Sequence, residues 1–548
     1  VTAPLEHWRG PQGSRVPGAP DGLAVLQGGP LPEPPVTTLS GALRRAADTR
    51  NGVVLIDARG IGTWRPYSEL YREATAVLGG LQAAGAEPGA VVVLALSAPS
   101  DLLTAFWACV LGGLVPLPVP AAGGSAVLAD AGAAAGRAWL VADGDPSALP
   151  AGIRPLGPVS ALGVPGGPGP RPHRCRPDDP ALLTLTSGSS GRPKAVPLSH
   201  RNVLARSHAT ALARGLDEGT RTLNWLPLDH VSGMVMFHIR DVFLGCHQVH
   251  ADTGWVRADP LRWLDLASAE RADTTWAPNH AFARVVERLD ESGGRPWDLS
   301  RLRYVMNGGE AVKDRVARRF LAALAPYGLP ATAIHPGWGM PETASGVVDG
   351  VLVPHGGPSR RYVPVGVPHP GVSVRVVDDE GRVLPERAVG RLQVTGPPVA
   401  VSYFEDAAPH PAPLTADGWL VTDDLAFVDG GELTVTGRAD DVIEVGQDRY
   451  HGHELEDAVE ELPCVLPGST VVRSYPGAGG RRALAVFFRP RPRVPGPEAE
   501  RMVRERLRDR FGAHVDHLEA LGEHDLPRTP TGKLRKSALT ARLPGPHP

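Results

Sequence analysis

Residues 183–194 read LTLTSGSSGRPK, and how this stretch is read decides how the rest of the chain is read. Leu182, Leu183 and Leu185 alternate with small polar residues, the pattern of a buried strand ending. The chain then runs into Ser187, Gly188, Ser189, Ser190 and Gly191, which carry almost no side-chain bulk. Backbone N–H groups of such a segment, with the hydroxyls of Thr184, Thr186, Ser189 and Ser190, can close around an anion, and Lys194 adds positive charge at the far end. The order G-x-x-G-x-P-K is not the G-x-x-x-x-G-K-[ST] of a Walker loop, and Pro193 keeps a helix from starting directly after Gly191. The competing reading is a flexible Ser/Gly surface loop.

Lysine usage separates the two. Of 56 basic residues only Lys194, Lys313, Lys533 and Lys536 are lysine; the others are arginine. A guanidinium is a planar fork and an ammonium a compact point charge, so they are not interchangeable where one phosphate oxygen must be reached. Lys194, at the end of the Ser/Gly segment, and Lys533, after Gly532, are therefore read as chemically required.

At 548 residues the chain exceeds a single core, which implies two to four domains or subdomains. A net charge of −3 and a pI near 6.7 provide no basic field for nucleic acid. No apolar run approaches the roughly 20 residues of a membrane span. Cys109, Cys175, Cys246 and Cys464 are scattered without CxxC spacing, which argues against a disulfide framework or structural zinc and for a reducing cytoplasm. A soluble protein with a small-molecule partner is the expectation.

Residues 1–36, rich in Pro and Gly, read as an extended lead-in. Helix and strand patterns then alternate, as in a layered and largely parallel α/β sheet: helices at LSGALRRAA, SELYREATAVLGGLQAAG and DLLTAFWACVLGG, strands at AVVVLAL and LVPLPV. Residues 120–180 show one weak strand, AWLVAD. Ser199 reads as the N-cap of a helix at SHRNVLARSHATALARG. DVFLGCHQVH (241–250) alternates like a strand, placing Cys246 and His247 on opposite faces and arguing against a metal site with His250. From about 364 to 436 short Val-rich strands with Gly turns indicate a small β subdomain. Residues 437–441, GRADD, end it, and an α+β pattern follows. Trp225 and Trp276 read as core, and His451 and His453 as surface or hinge residues.

In this order the motifs resemble the adenylate-forming superfamily of acyl-CoA synthetases, nonribosomal-peptide adenylation domains and fatty acyl-AMP ligases. TSGSSGRPK is similar to its phosphate loop, NGGE (307–310) to its adenine-side segment, and GWGMPE (337–342) to its aromatic-Gly-x-x-Glu segment. WLVTDDL resembles T-G-D-L, GRADD the hinge signature, and PRTPTGKLRK the P-x-T-x-x-G-K-x-x-R that carries a mobile lysine. PLDHVSG, WAPNHAF and VGQDRYHGHELE look closest to the acyl-AMP ligase and polyketide-loading branch.

The resemblance implies an N-terminal adenylation core of layered α/β subdomains plus the small β subdomain (37–437). A hinge (438–441) and a small mobile α+β C-terminal domain (442–548) follow. It implies ATP bound by Thr186, Ser187, Gly188, Ser189, Ser190, Gly191, Lys194, Gly308, Gly309, Glu310, Trp338, Gly339, Asp424 and Arg438, with Trp338 against adenine and Asp424 on the ribose. Glu342 would hold Mg2+, Lys533 would be the catalytic lysine, and Asp440 or Asp441 the pivot. The acyl pocket would draw on Asp229, His230, Asn279, Met306 and Asn307, with His230 as its gate and Asp229 either a ligand for a substrate amine or a solvated loop carboxylate.

The implied reaction joins a small carboxylic acid to AMP with release of pyrophosphate, then passes the acyl group to the phosphopantetheine thiol of a carrier protein acting in trans. CoA or an amine is the alternative acceptor, and a non-catalytic nucleotide-binding scaffold the alternative of another class. Three residues depart from the pattern: Pro341 where Thr is common, Asp423 in place of Gly, and Glu444 in place of Lys, the last disfavouring CoA.

Overall fold

A computed structural model describes residues 22–144, 149–163, 169–186, 194–405, 408–446, 448–477, 482–492, 494–522, 525–526, 528 and 534–543. Ser187, Gly188, Ser189, Ser190, Gly191 and Lys533 lie outside the described residues.

The architecture is mixed α/β, with a large multi-sheet domain and a smaller C-terminal one. Among the described residues, the central sheet of the large domain has nine strands. Its spatial order is Val367–Pro368, Ser345–Asp349, Ile334–Met340, Tyr304–Gly308, Thr274–Trp276, Arg221–Asn224, His247–Ala251, Gly52–Ile56 and Gly62–Pro66. From Ile334–Met340 to Gly52–Ile56 neighbours run parallel, and both margins are antiparallel. The interior strands are buried on both faces, with helices such as Asn279–Ser292 and Asp314–Leu324 packed against their apolar side chains. A second parallel sheet joins Val115–Pro118, Val91–Ala95, Ala138–Ala142 and Ile153–Gly157.

The centre of the large domain holds a polar chain made wholly of neutral groups. Trp107 Nε1–H donates to His238 Nε2 at 2.8 Å, so the His238 proton sits on Nδ1, 2.9 Å from Gln248 Oε1. His250 takes Asn224 Nδ2–H at Nδ1 (2.9 Å) and turns its own N–H to the same Gln248 oxygen. Gln248 Nε2 donates to Tyr67, whose hydroxyl donates to Cys246 O at 2.7 Å. Burial holds His238 down at about 4 and His250 well below its usual range, so both stay uncharged.

The β subdomain is a five-stranded antiparallel sheet: Val25–Gln27, Ser373–Val377, Gly390–Thr395, Leu420–Asp429 and Glu432–Arg438. Its first strand comes from within the expected lead-in. Leu26 faces Val374 across the pair, and Ala24 is wholly buried in the Val-rich core. The C-terminal domain packs helices Gly452–Glu460 and Gly496–Phe511 on a sheet of Val465–Pro476, Arg482–Pro490 and His517–Ala520.

Several local expectations hold. Ser199 caps its helix with a reciprocal Asn202 contact, and Trp225 and Trp276 are core. Others are corrected. Residues 241–250 are not one strand: helix Arg240–Leu244 stops at Gly245, which takes φ +70°, and the strand begins only at His247. Residues 120–180 hold more than one weak strand, because the Ala-rich run Gly124–Ala135 is helical despite its glycines and Ile153–Gly157 adds an edge strand. Of the two readings of His451, surface or hinge, the surface one fails: the residue is buried, and it lies against Gly437 at the predicted hinge.

Candidate active site

Parallel strands leave a crevice at their carboxyl ends, and side chains on the following loops line it. Here those loops follow Arg221–Asn224, Thr274–Trp276 and Tyr304–Gly308, and they carry PLDHVSG, APNH and the Gly309–Glu310 turn. Gly308 is fixed by packing: a Cβ there would come within 2.4 Å of Gly337 O on the neighbouring strand.

The strands Pro180–Thr186 and Lys194–Ser199 pair antiparallel with Thr186 opposite Lys194, so the two ends of the 187–193 segment are held side by side. The Lys194 ammonium lies 5.6 Å from the centroid of the Tyr403 ring. Tyr403 in turn donates its hydroxyl to Glu342 Oε1 at 2.8 Å, and Ala400 N–H donates to Glu342 O at 2.7 Å. Lys194 and Glu342, 148 residues apart, are thus bridged by one aromatic side chain that sequence reading missed. Its signal was an aromatic in the strand pattern Ser402–Glu405, one among many. Glu342 is buried, which pushes its carboxyl up despite the Tyr403 contact.

On the nucleoside side Trp338 Nε1–H donates to Asp424 Oδ2 at 2.8 Å, which brings two predicted residues together. Burial raises the Asp424 carboxyl against the pull of Trp338 and Arg438. Gly339 lies one residue past Trp338 in the same strand, Ile334–Met340. Arg438 stands opposite Asp424 in register, yet its guanidinium goes to Asp423 (3.0 Å) and Asp440 (3.1 Å). The unusual Asp423 is therefore a partner for Arg438. Beside Pro341, the hydroxyl of Thr343 serves the local turn. It accepts from Met340 N–H at 3.0 Å and donates to Ser345 O at 2.6 Å, which occupies it in the local turn.

Asn279 organises the adenine-side turn: its N–H and side-chain amide reach Glu310 Oε1 at 3.0 Å each, and its Oδ1 accepts Lys313 N–H at 3.1 Å. Asn307 donates to Ala277 O at 2.8 Å, and its buried Oδ1 has no hydrogen-bond partner among the described residues. His230 accepts Ser232 N–H at 3.1 Å, at the entry to a π-helical run, Ser232–Ile239. Asp229 is largely buried, its Oδ1 without a partner among the described residues, and burial pushes it up to about 6. Met306 belongs to an apolar cluster with Leu226, Met236, Phe237, Trp276 and Tyr304.

At the predicted hinge, Gly437 takes φ +150° with the His451 ring where a Cβ would lie 2.5 Å from Nδ1, so only glycine fits. His453 donates to Thr436 O at 2.7 Å. Asp440 is held by Arg438, while Asp441 pairs with Lys536 at 3.0 Å, which also reaches Glu456 at 2.9 Å. Arg361 and Tyr362 of the large domain converge on Glu454 of the small one. A surface cavity of about 370 Å³ near Leu462, Met502 and Arg506 shares no residue with this constellation.

A divalent cation fits at Glu342, whose chemistry is that of a hard oxygen donor in a site expected to hold phosphates. Among the described residues no cluster of three or more His, Cys, Asp or Glu side chains is arranged for a metal. That suits Mg2+, which is commonly held by one or two carboxylates and substrate phosphates.

Residues 43–404 match the family of AMP-binding enzymes. Aspulvinone E synthetase melA of Aspergillus terreus is 32% identical over 484 residues, covering 83% of this chain and 52% of that protein. The chain spans about half the length, or less, of the curated relatives it matches first. Among solved structures, McyG A-PCP complexed with phenylalanyl-adenylate superposes with a TM-score of 0.86 at 30% identity, covering 94% of this chain and 84% of that one. A multidomain structure of a keto acid-selecting NRPS module, with adenylation, ketoreductase and pseudo Asub parts, gives 0.87 at 32% identity, covering 95% and 47%. With the paired Trp338–Asp424 and the Lys194–Tyr403–Glu342 arc in place, the match over most of its length makes this chain a member of the AMP-binding enzyme family, an adenylate-forming ligase of the NRPS adenylation type.

Proposed function

We propose that the enzyme activates a small keto acid with an apolar side chain as its acyl-adenylate and then passes the acyl group to the phosphopantetheine thiol of a carrier protein. The observation that carries the substrate class is the buried apolar cluster around Met306, beside a loop whose one carboxylate, Asp229, is pushed toward neutrality. The 32% identity to a keto acid-selecting module supports the same class. With a carboxyl that titrates at about 6, Asp229 is mostly charged at neutral pH and would donate to a keto oxygen only after taking up a proton. An amino acid is the second reading, favoured by Asp229 Oδ1, which has no partner among the described residues and could accept from a substrate ammonium, and by a neighbour that holds phenylalanyl-adenylate.

In this reading the substrate carboxylate attacks the α-phosphorus of ATP and pyrophosphate leaves. Two anions must be brought together in line, so charge neutralisation and positioning carry the catalysis. The Ser/Gly stretch 186–194 with Lys194 would hold phosphate oxygens, Asp424 the ribose hydroxyls, and Trp338 the adenine. Mg2+ held by Glu342 would supply further positive charge to the phosphates. Tyr403 would fix the orientation of that carboxylate, and Lys533 would complete the site from the C-terminal domain. Glu444, exposed and 3.4 Å from Arg449, supports a carrier thiol over the more anionic CoA.

The test is ATP–pyrophosphate exchange with matched pairs of acids, each keto acid beside the amino acid of the same side chain. Preference for the amino member of every pair would overturn the keto assignment. Mass spectrometry of parallel mixtures with CoA and with a holo carrier protein checks the acceptor; rapid acyl-CoA formation would overturn the carrier.

A further inference from the structure

In a chain that otherwise uses arginine, each lysine asks for a reason, and Lys313 is not accounted for by the nucleotide site. It precedes the helix Asp314–Leu324 of the large domain, but its Nζ reaches into the small one: 2.7 Å to Glu460 Oε2 and 3.6 Å to Asp457 Oδ1. Both acids lie on the helix Gly452–Glu460, and the Lys313 and Glu460 side chains are 16% and 5% exposed. A compact ammonium fits between two carboxylates in so little space better than a guanidinium. Each end of the contact is tied to something functional. The Lys313 N–H is held by Asn279, which also holds Glu310 of the adenine-side turn. Glu460 Oε1 accepts Thr470 N–H at 3.2 Å, in the strand whose Gly468 O accepts from Arg528 at 2.6 Å, just before the predicted lysine segment. Arg315 and Asp457 (3.5 Å) and Arg491 and Glu287 (2.7 Å) flank the pair across the same seam.

We propose that Lys313 is a positioning residue: its ion pair with Glu460 and Asp457 holds the C-terminal domain in the orientation that serves adenylation, and the pair opens for thiol transfer. This rests on the reading of two half-reactions, with Lys533 acting in the first. Opening such a pair exposes charges that water solvates, which offsets much of the lost attraction and keeps the closed and open states close in free energy.

The test uses Lys313→Met and Glu460→Gln, the second retaining a carbonyl for Thr470 N–H. Single-turnover kinetics would follow acyl-adenylate formation and, separately, transfer from supplied acyl-adenylate to a holo carrier protein. Fluorescent labels at Ser292 and Arg508 would report the interdomain distance. Removing one partner of a buried interfacial charge pair typically costs a factor of about 30 or more, so adenylation should fall by about that factor with the KM for ATP unchanged. Transfer should hold or rise, and the distance distribution should shift in both variants. The exchanged pair Lys313→Glu with Glu460→Lys should recover part of the loss. Equal loss in both half-reactions, or an unshifted distance in both variants, overturns the proposal. If Lys533→Ala leaves adenylation intact while the Lys313 variants still shift the distance, the two-step reading fails instead.

Discussion

The middle of the large domain and the seam between the domains are both buried and polar, but they are built from opposite materials. Along the hydrogen-bonded chain through Gln248 every member is neutral, two histidines, an amide, a phenol and an indole, each with its proton assigned by a neighbour, while the buried Arg240–Asp241 pair beside it carries charge. Along the seam the groups are charged: Lys313 with Glu460 and Arg361 with Glu454, and at the hinge Lys536 holds Asp441. A neutral network satisfies every donor inside the core without the desolvation cost of an ion, which suits contacts that stay closed. Separated ions are well solvated, so a charged seam can close and open without a large penalty in either state.

The largest expected effect lies in the neutral network. Gln248→Leu takes one hydrogen bond from each of His238, His250 and Tyr67 and leaves the two imidazole N–H groups that faced Gln248 Oε1 buried without an acceptor; at roughly 1–3 kcal/mol per buried orphan, stability should drop by about 3 kcal/mol or more. Urea unfolding measures this, and a loss well under 1 kcal/mol would mean the network is not what holds the centre. Next comes Asp424, a half-buried carboxylate held by Trp338, with Arg438 opposite it in register but hydrogen-bonded elsewhere. Asp424→Ala should weaken ATP binding by roughly 1.5–3 kcal/mol, the worth of hydrogen bonds to a charged acceptor. Nucleotide titration checks it, and unchanged affinity would show that this residue does not hold the ribose.

Acid should separate the two regions. His238 titrates at about 4 in the fold against an ordinary 6.5, so the unfolded chain binds the extra proton first. Stability contributed by neutrality is therefore present above 6.5 and lost as pH falls toward about 4. Lys313 and Lys536 shift upward: burial opposes the charge, but the facing acids prevail, so both remain charged through this window. Unfolding midpoints between pH 7 and 4, read with the interdomain distance, should show the core weakening before the seam changes. The smallest effect concerns salt. The more exposed Arg361–Glu454 pair should lose up to about 1 kcal/mol in 1 M NaCl, with the midpoint of global unfolding nearly unmoved.

The parallel α/β core, the β subdomain and the C-terminal domain were legible because each has its own periodicity, and the site because its motifs stand at chain breaks. What escaped was contact between distant segments. Nothing local marks Tyr403 as the bridge from Lys194 to Glu342, or Asp423 as a partner for Arg438, because both facts depend on which strands become neighbours. The helix in 120–135 was hidden by glycines inside an alanine run, where length and packing outweigh propensity. Lys313 was visible as an anomaly of composition, but its meaning required the facing helix.

The short strand Val25–Gln27 pairs along the outer edge of Ser373–Val377. Without it the N–H and C=O groups of Val374 would be left open along a flat, valine-rich margin, the kind of surface on which protein chains stack into aggregates. Shortening the chain to residue 37, where the helices begin, would leave every site residue in place and still yield a protein prone to precipitate.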